Sequence, residues 1–341
     1  MTNRLVGGED AWDHETQVDL NEADGNVLPQ LPAEQVHAAL DWLPLMAALE
    51  GAFLSPPTAP VRHVDALSST DTLLFMPAWS ETSLGIKLVT VIPSAPRNGG
   101  RTVDATYLLL DRATGAPRAL LDGEALTVRR TAATSALAAR VLARDDASTL
   151  LLVGTGRLAP WMARAHLAAR PALRRVLVWG REAGATARLA DTLRREGIPA
   201  EAALPLSEAV HEADIICCAT TATAPVVLGE WLRPGTHLDL VGAFTPQMRE
   251  VDDAAVQRAR VIVDVLASAL AEAGDLVQPL ASGAIGAPHV LGDLGMLLRG
   301  TCTGRHDDGD ITLFKSVGHA LEDLAAAQLA LHRHVTPSSS S

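Results

Sequence analysis

Three positively charged side chains lie in apolar or glycine-rich sequence. Lys87 interrupts the apolar run Gly85 to Val89, and a lysine in a hydrophobic strand needs an anionic partner or a route to water. Arg130 lies where a helix is predicted to start, and a guanidinium beside free backbone N–H groups would bind an anion. Arg62 is the third. Taken singly, each is more often a surface charge than part of a site.

Two acidic residues follow the last predicted strand. Glu272 and Asp275 come within about ten residues of the strand Val261–Val265, which places them near the carboxyl edge of a parallel sheet, where ligands bind. Exposed loop acids are the competing interpretation. Glu322 and Asp323 lie on a predicted C-terminal helix, and we expect them to be solvated or paired along that helix.

A glycine-rich turn predicts a dinucleotide site. The apolar run Thr149 to Val153 suits a buried strand, and Gly154, Gly156 and Ala159 follow it in the spacing G-x-G-x-x-A before a helix-like stretch. The first glycine allows a tight turn, the second lets the backbone approach a pyrophosphate, and the alanine lets helix and strand pack closely. The helix N-terminus then offers free N–H groups to the phosphates.

The end of the second predicted strand bears on the choice of cofactor. NAD-specific sites usually carry Asp or Glu there to bind the ribose 2′-hydroxyl. Here Gly180 and Arg181 follow Trp179, and an arginine in place of the acid favours a 2′-phosphate, hence NADPH, with NADH still possible. Glu182 could supply the acid one position late, and Arg181 could be an ordinary surface residue.

The pattern of elements positions these residues. Short strands with turns between residues 61 and 126 predict a mostly antiparallel sheet, and an alanine-rich helix is predicted from about Thr127. From Thr149 onward strands and helices alternate, which predicts a doubly wound parallel sheet. A last helix is predicted from Ser316 to about His332, with an apolar stripe on Ala320, Leu324, Ala327 and Leu331.

Composition restricts the classes of function. A net charge of −12 argues against nucleic-acid binding, and no run of 18 apolar residues predicts a membrane span. The acidic N-terminus has no apolar signal region, so we expect a cytoplasmic protein. Cys217 and Cys218 lie in an apolar strand-like run and are interpreted as buried thiols in a reducing compartment. No metal site is predicted, because no Cys-x-x-Cys or His-Glu-x-x-His motif occurs.

Taken together, the motifs resemble the ornithine cyclodeaminase/mu-crystallin family over nearly the whole chain. The stretches that carry the resemblance, in order, are 74–78 (LFMPA), 85–89 (GIKLV), 121–133 (LDGEALTVRRTAA), 152–156 (LVGTG), 213–220 (ADIICCAT), 241–253 (VGAFTPQMREVDD), 272–276 (EAGDL) and 312–323 (TLFKSVGHALED).

The resemblance implies an α/β homodimer in which a Rossmann doubly wound parallel sheet, residues 132–309, is inserted in a second α+β domain. That domain, residues 1–131 plus 310–341, would bind substrate and form the dimer. The family's substrate-carboxylate residues match Arg62, Lys87 and Arg130, and Glu272 matches an acid that would orient or protonate the substrate. Besides the glycine loop, positions matching the family's cofactor contacts are Thr102, Arg130, Arg157, Leu158, Thr220, Val241 to Phe244, and Ser316.

One departure from the family pattern bears on the reaction. Cyclodeaminases of this family carry an aspartate where this chain has Phe244 in Gly242-Ala243-Phe244-Thr245-Pro246, and without it ornithine deamination lacks its proton acceptor. The aromatic form resembles the branch that reduces cyclic ketimines, Δ1-pyrroline-2-carboxylate to L-proline or Δ1-piperideine-2-carboxylate to L-pipecolate. Three alternatives remain: a cyclodeaminase with a relocated acid, an amino-acid dehydrogenase, and a non-catalytic NADPH-linked small-molecule binder.

Overall fold

The first of two sheets is mostly antiparallel. A computed structural model of the protein describes residues 28–203 and 205–336. Its six-stranded sheet has the order β1-β6-β5-β4-β3-β2, in which only the β1–β6 pair is parallel. The strands are β1 (Gln30–Leu31), β2 (His63–Ala66), β3 (Thr72–Trp79), β4 (Ser83–Val91), β5 (Val103–Asp111) and β6 (Pro117–Asp122).

The second sheet has eight strands, all parallel, in the order β13-β12-β14-β11-β10-β7-β8-β9. β8 lies on one side of β7, and the chain later returns to the opposite side of β7 as β10. The carboxyl ends of β7 and β10 therefore flank the topological switch point, where such sheets bind ligands. The strands are β7 (Thr149–Val153), β8 (Arg175–Trp179), β9 (Ala200–Ala202), β10 (Ile215–Cys218), β11 (His237–Leu240), β12 (Ala259–Val263), β13 (Val290–Asp293) and β14 (Ile311–Lys315).

Helices cover one face of the first sheet and both faces of the second, which confirms the predicted α/β class with a doubly wound sheet. Within the described residues, no helix is both long and apolar enough to cross a membrane. The helices are α1 (Ala33–Ala39), α2 (Trp42–Leu54), α3 (Gly123–Leu142), α4 (Ala159–Ala169), α5 (Ala183–Arg195), α6 (Leu206–Glu212), α7 (Asp253–Arg258), α8 (Leu266–Glu272), α9 (Gly274–Ser282), α10 (Leu294–Leu298) and α11 (Ala320–Val335).

Helix α3 begins four residues earlier than predicted. The reason is its N-cap: the Asp122 carboxylate accepts the backbone N–H of Ala125 at 2.7 Å, so the helix starts at Gly123. Arg130 therefore lies inside the helix, and the argument that placed it at a helix start was wrong. The helix is buried along most of its length. It packs against a strand of each sheet, β5 and β14, and against the helices α2, α4 and α11.

The C-terminal segment connects the two sheets. β14 pairs between β11 and β12 in the parallel sheet, although the predicted boundary at residue 310 assigned it to the other domain. The last helix begins at Ala320 rather than Ser316, because Ser316 to Gly318 form an irregular turn in which Gly318 has a φ of 78°. The division into domains stays a prediction, and this topology favours a C-terminal boundary after Lys315.

Candidate active site

The glycine loop has the shape that a pyrophosphate needs. Gly154 follows β7 with a φ of 122°, a conformation that favours glycine, and a Cβ there would lie 2.6 Å from the carbonyl oxygen of Ala219. Its backbone N–H donates to the Trp179 carbonyl at 2.8 Å. No atom lies within 4 Å of the place where a Cβ would stand on Gly156, so its backbone is open to a ligand. The loop therefore fits a dinucleotide.

The other cofactor residues inferred from sequence lie at neighbouring strand ends. Thr220 follows β10, Val241 follows β11 and Ser316 follows β14, and these strands lie next to one another at the switch point. The backbone N–H of Ser316 donates to the Leu240 carbonyl at 3.1 Å, which fixes that turn against β11. Phe244 is 47% exposed at the same edge, so its ring is free to face a ligand.

A buried network that the sequence did not reveal supports this edge. The ammonium of Lys315 donates to the Gly242 carbonyl and lies 3.3 Å from an Asp275 carboxylate oxygen. The other Asp275 oxygen accepts the backbone N–H of Glu250 at 2.7 Å, and Glu250 accepts that of Thr220, also at 2.7 Å. Asp275 is thus a buried structural residue at the carboxyl edge, where the sequence placed it, and the competing interpretation as an exposed loop acid was wrong.

Two ion pairs that share Glu124 connect the glycine loop to the loop that contains Thr102. Arg157, in the glycine loop, pairs with Glu124 at the start of α3, and the other Glu124 oxygen accepts Arg101 Nη1 at 2.6 Å. Arg101 directly precedes Thr102, so these two ion pairs hold the loop before β5 close to the glycine loop. Leu158 is the N-cap residue of α4 and offers no side-chain cap.

Arg181 lies just beyond β8, next to the glycine loop. A Cβ on the preceding Gly180 would lie 2.7 Å from the Thr155 side chain, so the backbone there packs directly on that loop. Arg181 is exposed, and Glu182 is the N-cap residue of α5 without a side-chain cap bond. Both side chains are therefore free to face an adenosine ribose.

Lys87 and Arg130 share one buried carboxylate. The Lys87 ammonium lies 2.7 Å from one Asp323 oxygen and donates to the other at 2.9 Å, and Arg130 Nε donates to that second oxygen at 2.9 Å. All three residues are almost inaccessible, with exposures of 2%, 4% and 0%. Burial lowers the pKa of Lys87 to about 8, against the pull of Asp323. Burial opposes ionisation of Asp323, but Arg130 and Lys87 hold its pKa below the usual value.

Glu322 completes this cluster on α11. Arg130 Nη1 donates to Glu322 at 2.9 Å, and the Thr134 hydroxyl donates to the same oxygen at 3.1 Å. Burial raises the pKa of Glu322 to about 7 despite the facing guanidinium. The expectation that Glu322 and Asp323 are solvated was wrong: both are fully buried because they face the cations of β4 and α3.

Arg62 joins the cluster through backbone carbonyls. Its Nη2 donates to the carbonyl oxygens of Val317 at 3.1 Å and Gly318 at 2.6 Å, and it lies 3.2 Å from Glu272. Gly318 also abuts Arg130, since a Cβ there would lie 2.5 Å from Arg130 Nη1. Burial raises the pKa of Glu272, partly offset by Arg62. Glu272 is thus a half-buried ion-pair partner rather than a free loop acid.

The turn from Ser316 to Gly318 therefore connects the two halves of the site. Its first residue follows β14 at the carboxyl edge of the parallel sheet. Its last two residues accept Arg62, and Gly318 also abuts Arg130. Asp264, which follows β12, fixes this turn by accepting the backbone N–H groups of Val317 and Gly318, each at 2.8 Å. Arg62 and Arg130 thus lie at this turn, and Lys87 is joined to Arg130 through Asp323. The turn follows β14, which β11 and β10 separate from β7 and its glycine loop.

Asp323 is the main residue that the sequence analysis missed, and one signal was available. It lies three residues after Ala320 and four before Ala327, so it falls on the predicted apolar stripe of the last helix. An acid on a buried stripe needs a buried cation. Asp264 gave no comparable signal, because its partners in the turn are backbone groups distant in sequence. The partners of Lys315, a backbone carbonyl and the Asp275 carboxylate, are equally distant from it in sequence.

One cluster in the described residues has the composition of a metal site. His166, Cys217 and Asp239 are fully buried, and His166 Nε2 lies 3.0 Å from Asp239 in what is also an ordinary hydrogen-bonded pair. The expected absence of a metal stays a prediction. Cys217 and Cys218 are buried free thiols, as predicted.

Comparison with known proteins gives the family. The model of the ornithine cyclodeaminase/mu-crystallin family matches residues 31–336. The chain belongs to this family. Another member, a Δ1-pyrroline-2-carboxylate reductase of Paracoccus denitrificans, is 41% identical over 291 residues, which are 84% of this chain and 91% of that one.

Solved structures of family members have the same fold. Thermococcus litoralis Δ1-pyrroline-2-carboxylate reductase, in complex with NADH and L-proline, superimposes with a TM-score of 0.85 at 31% identity, over 91% of this chain and 98% of that one. An archaeal alanine dehydrogenase dimer with bound NAD also gives 0.85, at 28% identity, over 92% of this chain and 98% of that one.

The shared carboxylate of Asp323 generates a stability prediction. Asp323→Asn leaves buried Lys87 without its counter-charge and Arg130 with Glu322 alone, so we expect the free energy of unfolding to fall by about 3–5 kcal/mol. Asp41→Asn is the matched control, because Asp41 pairs with Arg333 at 2.8 Å on the surface, and it should cost at most about 1 kcal/mol. Urea unfolding measures both, and equal midpoints would contradict the prediction.

Proposed function

We propose that the protein reduces a cyclic ketimine, Δ1-pyrroline-2-carboxylate to L-proline or Δ1-piperideine-2-carboxylate to L-pipecolate, with NADPH. The observation that carries the proposal is the turn from Ser316 to Gly318. It brings Arg62 and Arg130, with Lys87 behind them, to the edge where the glycine loop would hold the cofactor. The family members compared above include reductases named for the smaller imine, and one of them is solved with NADH and L-proline.

The chain's own residues would do the following work. The nicotinamide supplies the hydride when the cofactor is bound. Arg62, Lys87 and Arg130 hold the imine carboxylate, which fixes C2 at contact distance from the cofactor edge, and such positioning supplies much of a rate enhancement. Glu272, paired with Arg62, orients the ring nitrogen. NADPH would lie on Gly154, Gly156, Arg157 and Leu158, and its nicotinamide half would lie near Thr102, Thr220, Val241, Phe244 and Ser316.

Phe244 favours reduction over deamination. Its exposed ring offers an apolar wall to the methylenes of a small cyclic substrate and no proton acceptor. The cyclodeaminase, the amino-acid dehydrogenase and the non-catalytic binder remain the alternatives, because the carboxylate site would suit their ligands as well. We also propose a cytoplasmic location, which the buried free thiols suit.

One assay series separates these functions. Loss of NADPH absorbance with the cyclic imine and no ammonia supports the reductase. Ammonia release from ornithine without net cofactor change supports a cyclodeaminase. Oxidation that requires a 2-oxo acid and ammonia supports a dehydrogenase, and tight NADPH binding without any turnover supports a binder.

Lys87 generates a prediction on substrate affinity and pH. Lys87→Met removes a charged contact worth about 1.5–3 kcal/mol, so kcat/KM for the imine should fall about 10- to 150-fold while the Kd of NADPH stays nearly constant. In the wild type, kcat/KM should fall as pH rises above about 8, because the amine loses the charge that binds the carboxylate. Lys87→Arg should remove that fall.

The control for Lys87 is Arg174→Met, a change of an exposed cation before β8, which should leave kcat/KM unaltered. Equal activity of Lys87→Met and the wild type would remove Lys87 from the site.

Arg181 generates a prediction on cofactor choice. Arg181→Asp replaces a partner for the 2′-phosphate with one for a 2′-hydroxyl, so the ratio of kcat/KM for NADPH to that for NADH should fall at least about tenfold. Arg195→Asp, at the far end of α5, is the control and should leave this ratio unchanged. If Arg181→Asp leaves this ratio unchanged, Arg181 does not bind the 2′-phosphate: another residue binds it, or the enzyme uses NADH.

We also propose that the protein is a homodimer formed through the six-stranded sheet. Lys87 and Tyr107 point to the helix-covered face, so the residues that alternate with them lie on the other face, which we call the open face. Its apolar residues are half-buried or exposed, a surface that monomers rarely leave to water. These residues are Phe75, Ile86, Leu88, Leu108 and Leu110.

The open face generates a prediction on assembly. Leu88→Asp should convert the dimer to a monomer in sedimentation velocity at micromolar concentration, because it places a charge in an apolar interface. Leu43→Asp, at a residue 58% exposed on α2, is the control and should leave the mass unchanged. A wild-type protein that sediments as a monomer would contradict the proposal.

A further inference from the structure

We propose that His319 is the acid that gives a proton to the ring nitrogen of the imine, a role that rests on the reductase function proposed above. The sequence analysis did not identify His319. Its position, its fixed ring and the lack of a partner on one ring nitrogen carry the proposal.

His319 directly follows the turn that joins the two halves of the site. The preceding residue, Gly318, accepts Arg62 Nη2 and abuts the Arg130 guanidinium. A carboxylate held by these two arginines would therefore lie within a residue's length of the His319 ring. In a cyclic 2-carboxy imine the nitrogen is one bond from the carbon that carries the carboxylate, so the nitrogen would lie beside the carboxylate site.

The ring of His319 is held in one orientation. His319 is the N-cap residue of α11: its ring Nδ1 accepts the backbone N–H of Leu321 at 3.4 Å, and its backbone N–H donates to the Glu322 carboxylate at 3.1 Å. In the neutral ring the proton is therefore on Nε2. The residue is only 9% exposed, and within the described part of the chain Nε2 forms no hydrogen bond. A nearly enclosed donor without a partner is available to a ligand.

The other acids near the carboxylate site are already committed. Glu272 is paired with Arg62, and the Lys87 ammonium is held by Asp323 and the Thr127 hydroxyl. Each of these groups has an ionic partner in place, whereas Nε2 of His319 has none. The Tyr107 hydroxyl also has no partner, but it is 0% exposed and packs under Gly85 of β4. A proton donor must reach the atom that it protonates, and His319, next to the turn that accepts Arg62, is the better placed of the two.

The charges that face His319 make it respond to substrate. Burial lowers its pKa; Arg62, Arg130 and the N-terminus of α11 act in the same direction, and Asp264 and Asp323 oppose them. Glu322 contacts its backbone, and Glu272, the acid of α8 in this region, is paired with Arg62. A bound carboxylate would neutralise Arg62 and Arg130, so the ring would take up a proton as substrate binds. The charged ring then loses the long bond to Leu321, which keeps it a strong acid.

The proposed step balances as follows. C2 of the imine gains a hydride from the reduced nicotinamide and forms a C–H bond, and the electron pair of the C=N π bond moves to nitrogen. That nitrogen takes the proton from Nε2, so an N–H bond forms as the imidazolium N–H breaks. The imine is reduced and the nicotinamide oxidised. The ring that remains is neutral and keeps its proton on Nδ1, and a proton taken from water at Nε2 restores the imidazolium. Loss of the Nδ1 proton to water returns the resting ring, whose Nδ1 accepts the Leu321 N–H.

The experiment compares the wild type with His319→Asn, since asparagine keeps a good N-cap but has no acidic proton. With Δ1-pyrroline-2-carboxylate and NADPH, kcat should fall about 10²- to 10⁴-fold, while the imine KM and NADPH Kd change little. Wild-type kcat should fall as pH rises, because the acid form is lost, and that fall should be absent in the variant. The fall in kcat/KM assigned to Lys87 should remain.

Two further measurements exclude a merely structural effect. Added imidazole should raise the kcat of His319→Ala at least about tenfold. His332→Asn, at an exposed histidine of the same helix, should behave as the wild type. If the wild type reduces neither imine, the proposed function and this role fall together. If the wild type turns over and His319→Asn keeps kcat within about threefold at every pH, only the role of His319 is overturned.

Discussion

The site depends on the cost of burying positive charge. Lys87 and Arg130 lie almost wholly out of water, and both are held by the single carboxylate of Asp323, with Glu322 beside it. An isolated buried ammonium or guanidinium would cost several kcal/mol, so these cations keep their charge only because α11 brings two acids to them. The charge that would bind a substrate carboxylate is thus maintained by residues more than 190 positions away in sequence.

This constraint explains the path of the C-terminal segment. β14 is a central strand of the parallel sheet, and α11 packs on the antiparallel one, so the four residues between them must cross from one sheet to the other. Asp264 fixes this crossing by accepting two successive backbone N–H groups. The carboxyl edge of the parallel sheet, where the cofactor would lie, and the cations of the proposed carboxylate site are therefore held at a fixed distance from one another. Hydride transfer over contact distance would require this.

Much of this arrangement could be predicted from sequence, because local patterns encode it. The strand Thr149 to Val153 with its glycines, the alternation of strands and helices, and the lysine in an apolar strand each reflect a rule that acts over a few residues. What could not be predicted depends on pairing across the fold. The roles of Asp264 and Lys315 became visible only when their partners were in place. The start of α3 was predicted too late, because Asp122 ends β6 and caps the helix with no turn between them.

The central claim is that Arg62, Lys87 and Arg130 form one carboxylate site facing the cofactor edge. The most direct measurement is a crystal structure of the protein with NADP⁺ and L-proline, the product of the proposed reaction. The account predicts proline carboxylate oxygens at about 2.7–3.2 Å from nitrogen atoms of these cations, with Cα toward the nicotinamide and Asp323 still between Lys87 and Arg130. A carboxylate bound away from these side chains, with the cluster closed as it is here, would contradict the account.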